Sequence, residues 1–343
     1  MKPVFVASSP EDAPKIAQFL VKAFATAPDD VIARPDLMHW KYWAERADWS
    51  GSRSFRLERA GVIVAHGAPW PSFVRTPAGA VLRSAQVLDW AADPSTPGAG
   101  LALMKHIAPE HVDLIFALGG SDATRRALPA IGFKPFNDIF FFAKPLRPFA
   151  QIVSHQFRNW KSPARLIRNF VWSRRLAAPA RGWSSRPVDA SNIHAWPESG
   201  GGATILVRDA KKFEYFSKCD LVRSRLYSVE REGREAGYFY LVFVPGQARI
   251  ADAWAIDPEG WTQLYALAIE QALEDPGTNE VTAIAGLEGA QQALEQCGFR
   301  RRRVERLMIY DPKKTLDPSA RLHFQMIDND AFFRHSGRPD YET

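Results

Sequence analysis

Trp90-Ala91-Ala92-Asp93-Pro94-Ser95-Thr96-Pro97-Gly98-Ala99-Gly100-Leu101 is the stretch on which the fold turns. Alternating apolar residues over 80–92 predict a strand that stops at Asp93-Pro94, and a helix is predicted over 101–108. The glycine loop between them opens directly onto that helix. Glycines let the backbone approach a ligand closely, and the first N–H groups of a helix have no partner of their own. The helix dipole adds a preference for negative charge. A pyrophosphate suits such a cradle. An ordinary Pro/Gly turn before a helix has the same residues, and a lone Gly-x-Gly favours that plainer reading.

The surroundings carry the decision. Ile16, Phe19, Leu20 and Phe24 recur at helical spacing over 10–25, and Ser9-Pro10 with Glu11 and Asp12 starts the helix. A second helix is predicted over 35–46. Strands follow over 53–59, 62–74 (irregular at Pro69 and Pro71) and 80–92. Past the glycine loop come a strand at 113–118, a helix at 122–131 capped by Ser121 and Asp122, and a strand at 136–143. The order is β-α-α-β-β-β-α-β-α-β.

The second half repeats that order. Asp36-Leu37-Met38-His39-Trp40-Lys41-Tyr42-Trp43 corresponds to Asp209-Ala210-Lys211-Lys212-Phe213-Glu214-Tyr215-Phe216 in its acid and aromatic spacing. Trp90-Ala91-Ala92-Asp93-Pro94 corresponds to Trp254-Ala255-Ile256-Asp257-Pro258, and Gly132-Phe133 to Gly298-Phe299. Three matches in order, at nearly constant separation and in the same kinds of element, indicate an internal duplication. The organisation expected is a first domain over 1–146, a linker over 147–182, a second domain over 183–312 and a tail over 313–343. Phe324, Met326, Ile327, Phe332 and Phe333 give the tail a face to pack with.

Composition agrees. At roughly 150 residues per domain, 343 residues imply two domains. Apolar residues at 46% and charged residues at 24% exclude wholesale disorder, collagen and coiled coil. Cys219 and Cys297 are too few for a disulfide framework and fit a reducing compartment. The net charge of +6 is unevenly placed. Between Asp138 and Asp189 lie fifty residues with ten bases and no acid, whereas the remainder has more acids than bases. That insert contains the apolar stripes Phe149, Ile152, Val153, Phe157, Trp160 and Leu166, Ile167, Phe170, Val171, Leu176. It reads as amphipathic helices facing an anionic membrane, an acidic carrier protein or RNA, or as a connector with its arginines in solvent. No leader is readable at the N-terminus, and the most apolar stretch, Ile139 to Ala143, is far short of the roughly 20 residues that span a bilayer. A cytoplasmic protein, peripheral at most to the inner face of the membrane, is expected.

Strand, glycine loop, helix, strand, helix and closing Gly-Phe strand together resemble the GNAT family of acyl-CoA N-acyltransferases. The family's loop pattern falls on Ser95-Thr96-Pro97-Gly98-Ala99-Gly100, and its Gly-Phe element on Ile131-Gly132-Phe133 and again on Cys297-Gly298-Phe299. The resemblance implies an α/β (α+β) fold of two GNAT-like domains. Each would be a mixed, mainly antiparallel central sheet flanked by helices, splayed open where the pantetheine arm of CoA enters. It implies acyl transfer from acetyl-CoA or another acyl-CoA, as co-substrate and not as a resident cofactor, to an amine or hydroxyl of a small-molecule, sugar or peptide acceptor. Ala91, Ala92, Asp93, Gly98, Ala99, Gly100, Leu101 and Ser121 would hold the CoA. Ser95 departs from the family's usual Gln or Arg, and Leu128 and Leu294 stand where many members place a Tyr general acid. The second loop, Asp257-Pro258-Glu259-Gly260-Trp261, has one glycine and an added acid, so the second copy is expected not to bind CoA in the usual way.

Acyl transfer to an amine needs a group to take its proton. Asp89, on the strand before the loop, and His66, on the preceding strand, are the catalytic candidates by position; the plain alternatives are an Asp89–Arg83 ion pair and a satisfied half-buried histidine. Trp40, Tyr42 and Trp70 are the candidate acceptor-site aromatics; Trp70 is the better candidate for an exposed one, and the reappearance of the Trp40–Trp43 pattern at Phe213-Glu214-Tyr215-Phe216 favours core packing for the other two. The eight histidines show no i, i+4 pairs and no neighbouring cysteines, so no metal site is readable. Two other readings stand beside the leading one. One is a transferase using aminoacyl-tRNA (the only nucleic acid considered) or acyl carrier protein as donor; the other is a non-catalytic binding protein built from two decayed domains.

Overall fold

The computed structural model describes residues 3–153, 162–174, 177–197 and 203–343. Phe157, Trp160 and Leu176 of the apolar stripes, with Arg158, Lys161 and Arg175, lie outside the described residues. The first half runs β1 (Val4–Ala7), α1 (Ala13–Phe24), α2 (Pro35–Met38), β2 (Phe55–Arg59), β3 (Val62–Arg75), β4 (Val81–Ala92), α3 (Ala99–His111), β5 (Leu114–Ala117), α4 (Asp122–Ala127) and β6 (Lys134–Pro145). α5 (Pro148–Val153) and α6 (Ser162–Ser173) connect it to the second half. That half runs β7 (Trp183–Pro187), β8 (Ala203–Leu206), α7 (Ala210–Ser217), β9 (Arg223–Arg231), β10 (Arg234–Val244), β11 (Gln247–Ala255), α8 (Gly260–Glu274), β12 (Glu280–Ala285), α9 (Glu288–Gln296) and β13 (Arg300–Tyr310). A short β14 (Arg321–His323) lies in the tail. The expected helix over 35–46 is shorter: α2 passes into a π turn at His39–Trp43.

The strands form one sheet in the order β1-β2-β3-β4-β5-β13-β6-β12-β11-β10-β9-β7, with β8 paired to β3 and β14. Pairing is antiparallel except at β4–β5, β11–β12 and β8–β14. The two halves exchange their last strands: β13 pairs with β5 and β6, and β6 pairs with β12. Successive side chains of a strand point to opposite faces, and β6 shows the result. Phe141 enters a core shared by both halves, packed with Trp40, Trp70, Phe216 and Phe332, while Phe142 enters the core beneath α8 and α9. Pro69 and Pro71 do not break β3. They pair with β4 on one side and fall between the reaches of β2 and β8 on the other, where no ladder N–H is required.

β4 and β5 are paired only at Ser84–Leu114, Ala85–Ile115 and Gln86–Phe116. Beyond that, β4 bulges opposite Gly67: His66 pairs with Ala91 but Ala68 with Leu88, and Asp89 adopts φ 48°. A bulge re-aims the strand and increases its twist, so β4 and β5 diverge into a wedge. β11 and β12 diverge likewise after Ile250–Ala283, with a register shift at Tyr240/Leu241.

Candidate functional site

The loop after β4 is held by its own first residue. Asp93 Oδ1 accepts from Ser95 N (2.9 Å) and Ser95 Oγ (2.7 Å), and its Oδ2 accepts from Lys22 Nζ (3.0 Å). The Ser95 bonds and the Lys22 ammonium hold the carboxyl down to about 2. Both Asp93 oxygens are thereby occupied by its own loop and by α1. At the start of α3, Gly98, at φ 83°, is the N-cap and supplies no side chain to it. Ala99 N–H is taken by Thr96 O and Ala102 N–H by Gly98 O, which leaves the intervening N–H groups of Gly100 and Leu101 open. A Cβ on Gly100 would stand 3.2 Å from Trp90 Nε1 and 3.3 Å from Ala92 Cβ, and Trp90 Nε1 donates to Gly100 O at 3.0 Å. This pins the helix start against the end of β4. Val87, Leu88, Ala91 and Ala92 keep their β3 ladder, and no described segment is paired with residues 87–92 on the β5 side.

At the β4 bulge the structure brings together three of the sequence candidates, Asp89, His66 and Tyr42. The Asp89 carboxylate is paired with the Lys41 ammonium, both side chains being almost fully buried, and accepts from Tyr42 OH at 2.6 Å. Burial pushes Asp89 up, but Lys41 and Tyr42 outweigh it and hold the group below its ordinary range. The partner is Lys41 and not Arg83, which stands beside Asp113 instead. His66 is fully buried, with Nδ1 3.1 Å from Asp89 O and Nε2 2.9 Å from Ser54 Oγ. A carbonyl only accepts, so Nδ1 carries the proton and Nε2 accepts from the Ser54 hydroxyl. Burial lowers the imidazole to about 4.

Trp70 corrects an expectation. It is 2% exposed, stacked on Phe216 (5.8 Å between centroids), with the Arg46 guanidinium 4.9 Å from its ring centroid. Trp40 is stacked on Tyr215 and donates to Tyr215 O at 3.1 Å. These aromatics weld the halves behind the site. Ser121 is exposed and caps α4 by accepting from Thr124 N at 3.2 Å. Leu128 and Leu294 are buried in their cores, and their carbonyls accept from Phe133 N and Phe299 N.

The second half is closed at the corresponding points. Asp257 Oδ1 accepts from Gly260 N at 2.6 Å, so the start of α8 already holds a carboxylate. The wedge between β11 and β12 is filled by the tail. Gly286 N donates to Phe324 O (3.1 Å), Gln325 Nε2 donates to Ala253 O (2.8 Å), and a Cβ on Gly286 would stand 2.5 Å from Leu322 O. Asp252 is buried against the Arg208 fork (2.9 and 3.0 Å), which also binds Asp328 at 2.7 Å.

The fold as a whole recurs in solved proteins. The chain is similar to a GCN5-related N-acetyltransferase from Anabaena variabilis (TM-score 0.60, 13% identity, 90% of this chain and 73% of that one). It is similar to a tandem GNAT protein from the clavulanic acid biosynthesis pathway (TM-score 0.54, 13% identity, 90% of this chain and 98% of that one). The chain has the fold of the tandem GNAT proteins. N-myristoyltransferase from Saccharomyces cerevisiae is also similar, with a TM-score of 0.58 at 10% identity over 90% of this chain and 80% of that one. No protein-family model and no curated protein matches the sequence.

Within this GNAT fold a cavity of about 400 Å³ opens between the halves. Asp30 and Val31 line it from the segment after α1, Phe141 and Arg303 from β6 and β13, and Asp330 and Arg334 from the tail. The Asp330 side chain is 31% exposed, with Arg334 at 3.6 Å. Partial burial and the nearby Asp89 charge raise its carboxyl above the ordinary value, against the pull of Arg334 and Lys41. Sequence reading missed Asp330 and Lys41 as site residues. Asp330 lies in a tail with no counterpart in the first half, and Lys41 faces Glu214 in the repeat, a mismatch that marks it as specific to the first copy.

Proposed function

We propose that the chain is an acyl-CoA-dependent acyltransferase with one donor site, built on residues 1–146 as the active copy and 183–312 as a supporting copy. The observation that carries this reading is the asymmetry between the two wedges: the first is open beside free helix N–H groups, and the second is filled by the chain's own tail and carboxylate. The phosphates of CoA would lie at Gly98, Ala99, Gly100 and Leu101, with Ser121 nearby. The pantetheine amides would pair with the free side of β4 at Ala91, Ala92 and Asp93, as an added strand does. The acceptor would enter through the cavity between the halves, with Trp40, Tyr42 and Trp70 shaping its wall from behind.

Acyl transfer then divides between two carboxylates whose surroundings push them apart. Asp330, raised, is the base that takes the proton as the acceptor nitrogen attacks the thioester carbonyl. Burial is the main cause of the rise, and Asp89, held ionised by Lys41, is the charge that adds to it. His66 is a positioning residue, holding the Asp89 carbonyl at the bulge. The new C–N bond forms as the C–S bond breaks, and with Leu128 in place of a hydroxyl the departing thiolate takes its proton from water. Calorimetry of acetyl-CoA binding to the chain and to a Gly98→Val/Gly100→Val variant tests the reading: binding to the first and a loss of at least about tenfold in the second is expected. Equal affinities would refute it. A second reading, a non-catalytic binding protein, is favoured by Leu128 and Leu294. Acyl transfer or thioester hydrolysis with a panel of acyl-CoAs excludes it.

A further inference from the structure

α5 and α6 bury polar side chains beside Trp172 and turn a set of large apolar side chains outward. Their inward faces carry polar residues: Gln151 and Asn169 are almost fully buried, Gln151 Nε2 donates to Thr343 Oγ1 (3.0 Å), and Asn169 Nδ2 donates to Gln151 Oε1 (3.0 Å). Their outward faces carry Phe149 at 64% exposure, Val153 at 73%, Ile167 at 67% and Val171 at 57%. A surface helix ordinarily turns such a stripe to the core. The two helices adjoin through Phe149 and Phe170, 5.9 Å between ring centroids, so the four exposed side chains belong to one ridge. With more than half of each side chain in the open, they project from the surface and do not line a groove.

The ridge is edged by cations. Arg174, one further turn along the Ile167–Val171 face, holds its guanidinium 4.1 Å from the Phe170 ring. On the flank of α6, Arg300, Arg302 and Arg168 surround the Trp172 indole at 4.5, 5.9 and 6.0 Å. The fifty-residue segment that supplies both helices has no acidic residue. Apolar side chains that stand proud, bordered by arginines, match the boundary of an anionic bilayer, where acyl chains and phosphates lie side by side. A partner protein would more naturally receive a helix in a groove. Among the described residues no helix is long and apolar enough to cross a membrane, so the contact is peripheral.

We propose that this face docks the protein on an anionic lipid bilayer, with Phe149, Val153, Ile167 and Val171 entering the headgroup–acyl boundary and Arg174, Arg168 and Arg300 meeting lipid phosphates. The proposal does not depend on acyl transfer. Co-sedimentation of the full chain with phosphatidylcholine vesicles, with and without about a quarter phosphatidylglycerol, tests it. The chain is expected to sediment with the anionic vesicles only, and to be released by salt at about 1 M, where the screening length is near 3 Å. Ile167→Glu/Val171→Glu should lower the bound fraction at least about tenfold with an unchanged melting temperature, because both side chains are exposed. Val62→Glu, an equally exposed valine on β3, should change nothing. No sedimentation with anionic vesicles, or equal sedimentation of the double variant, overturns the proposal. So does a dimer that the double variant dissolves while vesicles stay unbound, since a second copy would then be the occupant.

Discussion

Asp89 and Asp330 are far apart in the chain, yet the Asp89 charge helps to raise the Asp330 carboxyl. If Asp330 is the base, activity rises with pH through its raised value. Asp89→Asn removes the neighbouring charge and should move that acid limb to lower pH, whereas Asp330→Asn should abolish the limb and most of kcat, about a hundredfold or more, with little change in acyl-CoA affinity. A limb that stays in place in Asp89→Asn would separate the two residues. His66 leaves its mark on stability. Its folded value near 4 is depressed from the ordinary 6.5, so the folded state binds fewer protons; stability is present above about 6.5 and lost as pH falls toward 4. The effect is about 3 kcal/mol at most. The melting-temperature gap between wild type and His66→Gln should therefore shrink on acidification from pH 7 to 4, and parallel curves would contradict the assignment. Asp330 was not legible in the sequence, and Lys41 was marked only by its mismatch with Glu214 in the repeat. Their meaning comes from what the fold sets against them, and a lysine amid aromatics or an acid in a tail carries no local signature.

Most of the elements were legible because their signals are local. The strand ending at Asp93-Pro94, the glycine loop and both Gly-Phe closures lie where periodicity and turn chemistry place them. β8 and β14 were missed because each has only three or four residues and its partner is remote in sequence. Trp70 was misjudged because a Pro-Trp-Pro run looks exposed until a second half covers it. Trp70→Ala should cost about 3–5 kcal/mol, as for a buried aromatic, by denaturant unfolding; a surface-like cost below about 1 kcal/mol would deny the packed interface between the halves. The tail is likewise an element of the core. Glu342 N and Thr343 N donate to the buried Glu280 carboxylate, and residues 322–325 fill the second wedge.

At the scale of the whole molecule, the strand exchange decides what can be separated. A fragment of residues 1–146 lacks β13, which lies between β5 and β6, and exposes an unpaired edge. Expressed alone it should aggregate, and a soluble, cooperatively folding fragment would contradict the shared sheet. The exchange was invisible in the sequence, since the alternation in β6 and β13 is the same whichever neighbour each one takes. The basic charge, too, acquires meaning only here: Arg147 holds the carbonyls of Leu273 and Asp275, Arg186 pairs with Glu230, and the arginines of α6 border an apolar ridge. The central claim is that two copies of one fold share a single donor site. Native mass spectrometry of the full chain with acetyl-CoA counts the sites directly. One acetyl-CoA per chain, lost in Gly98→Val/Gly100→Val, is the result predicted; two per chain, none, or one that survives the double substitution would contradict it.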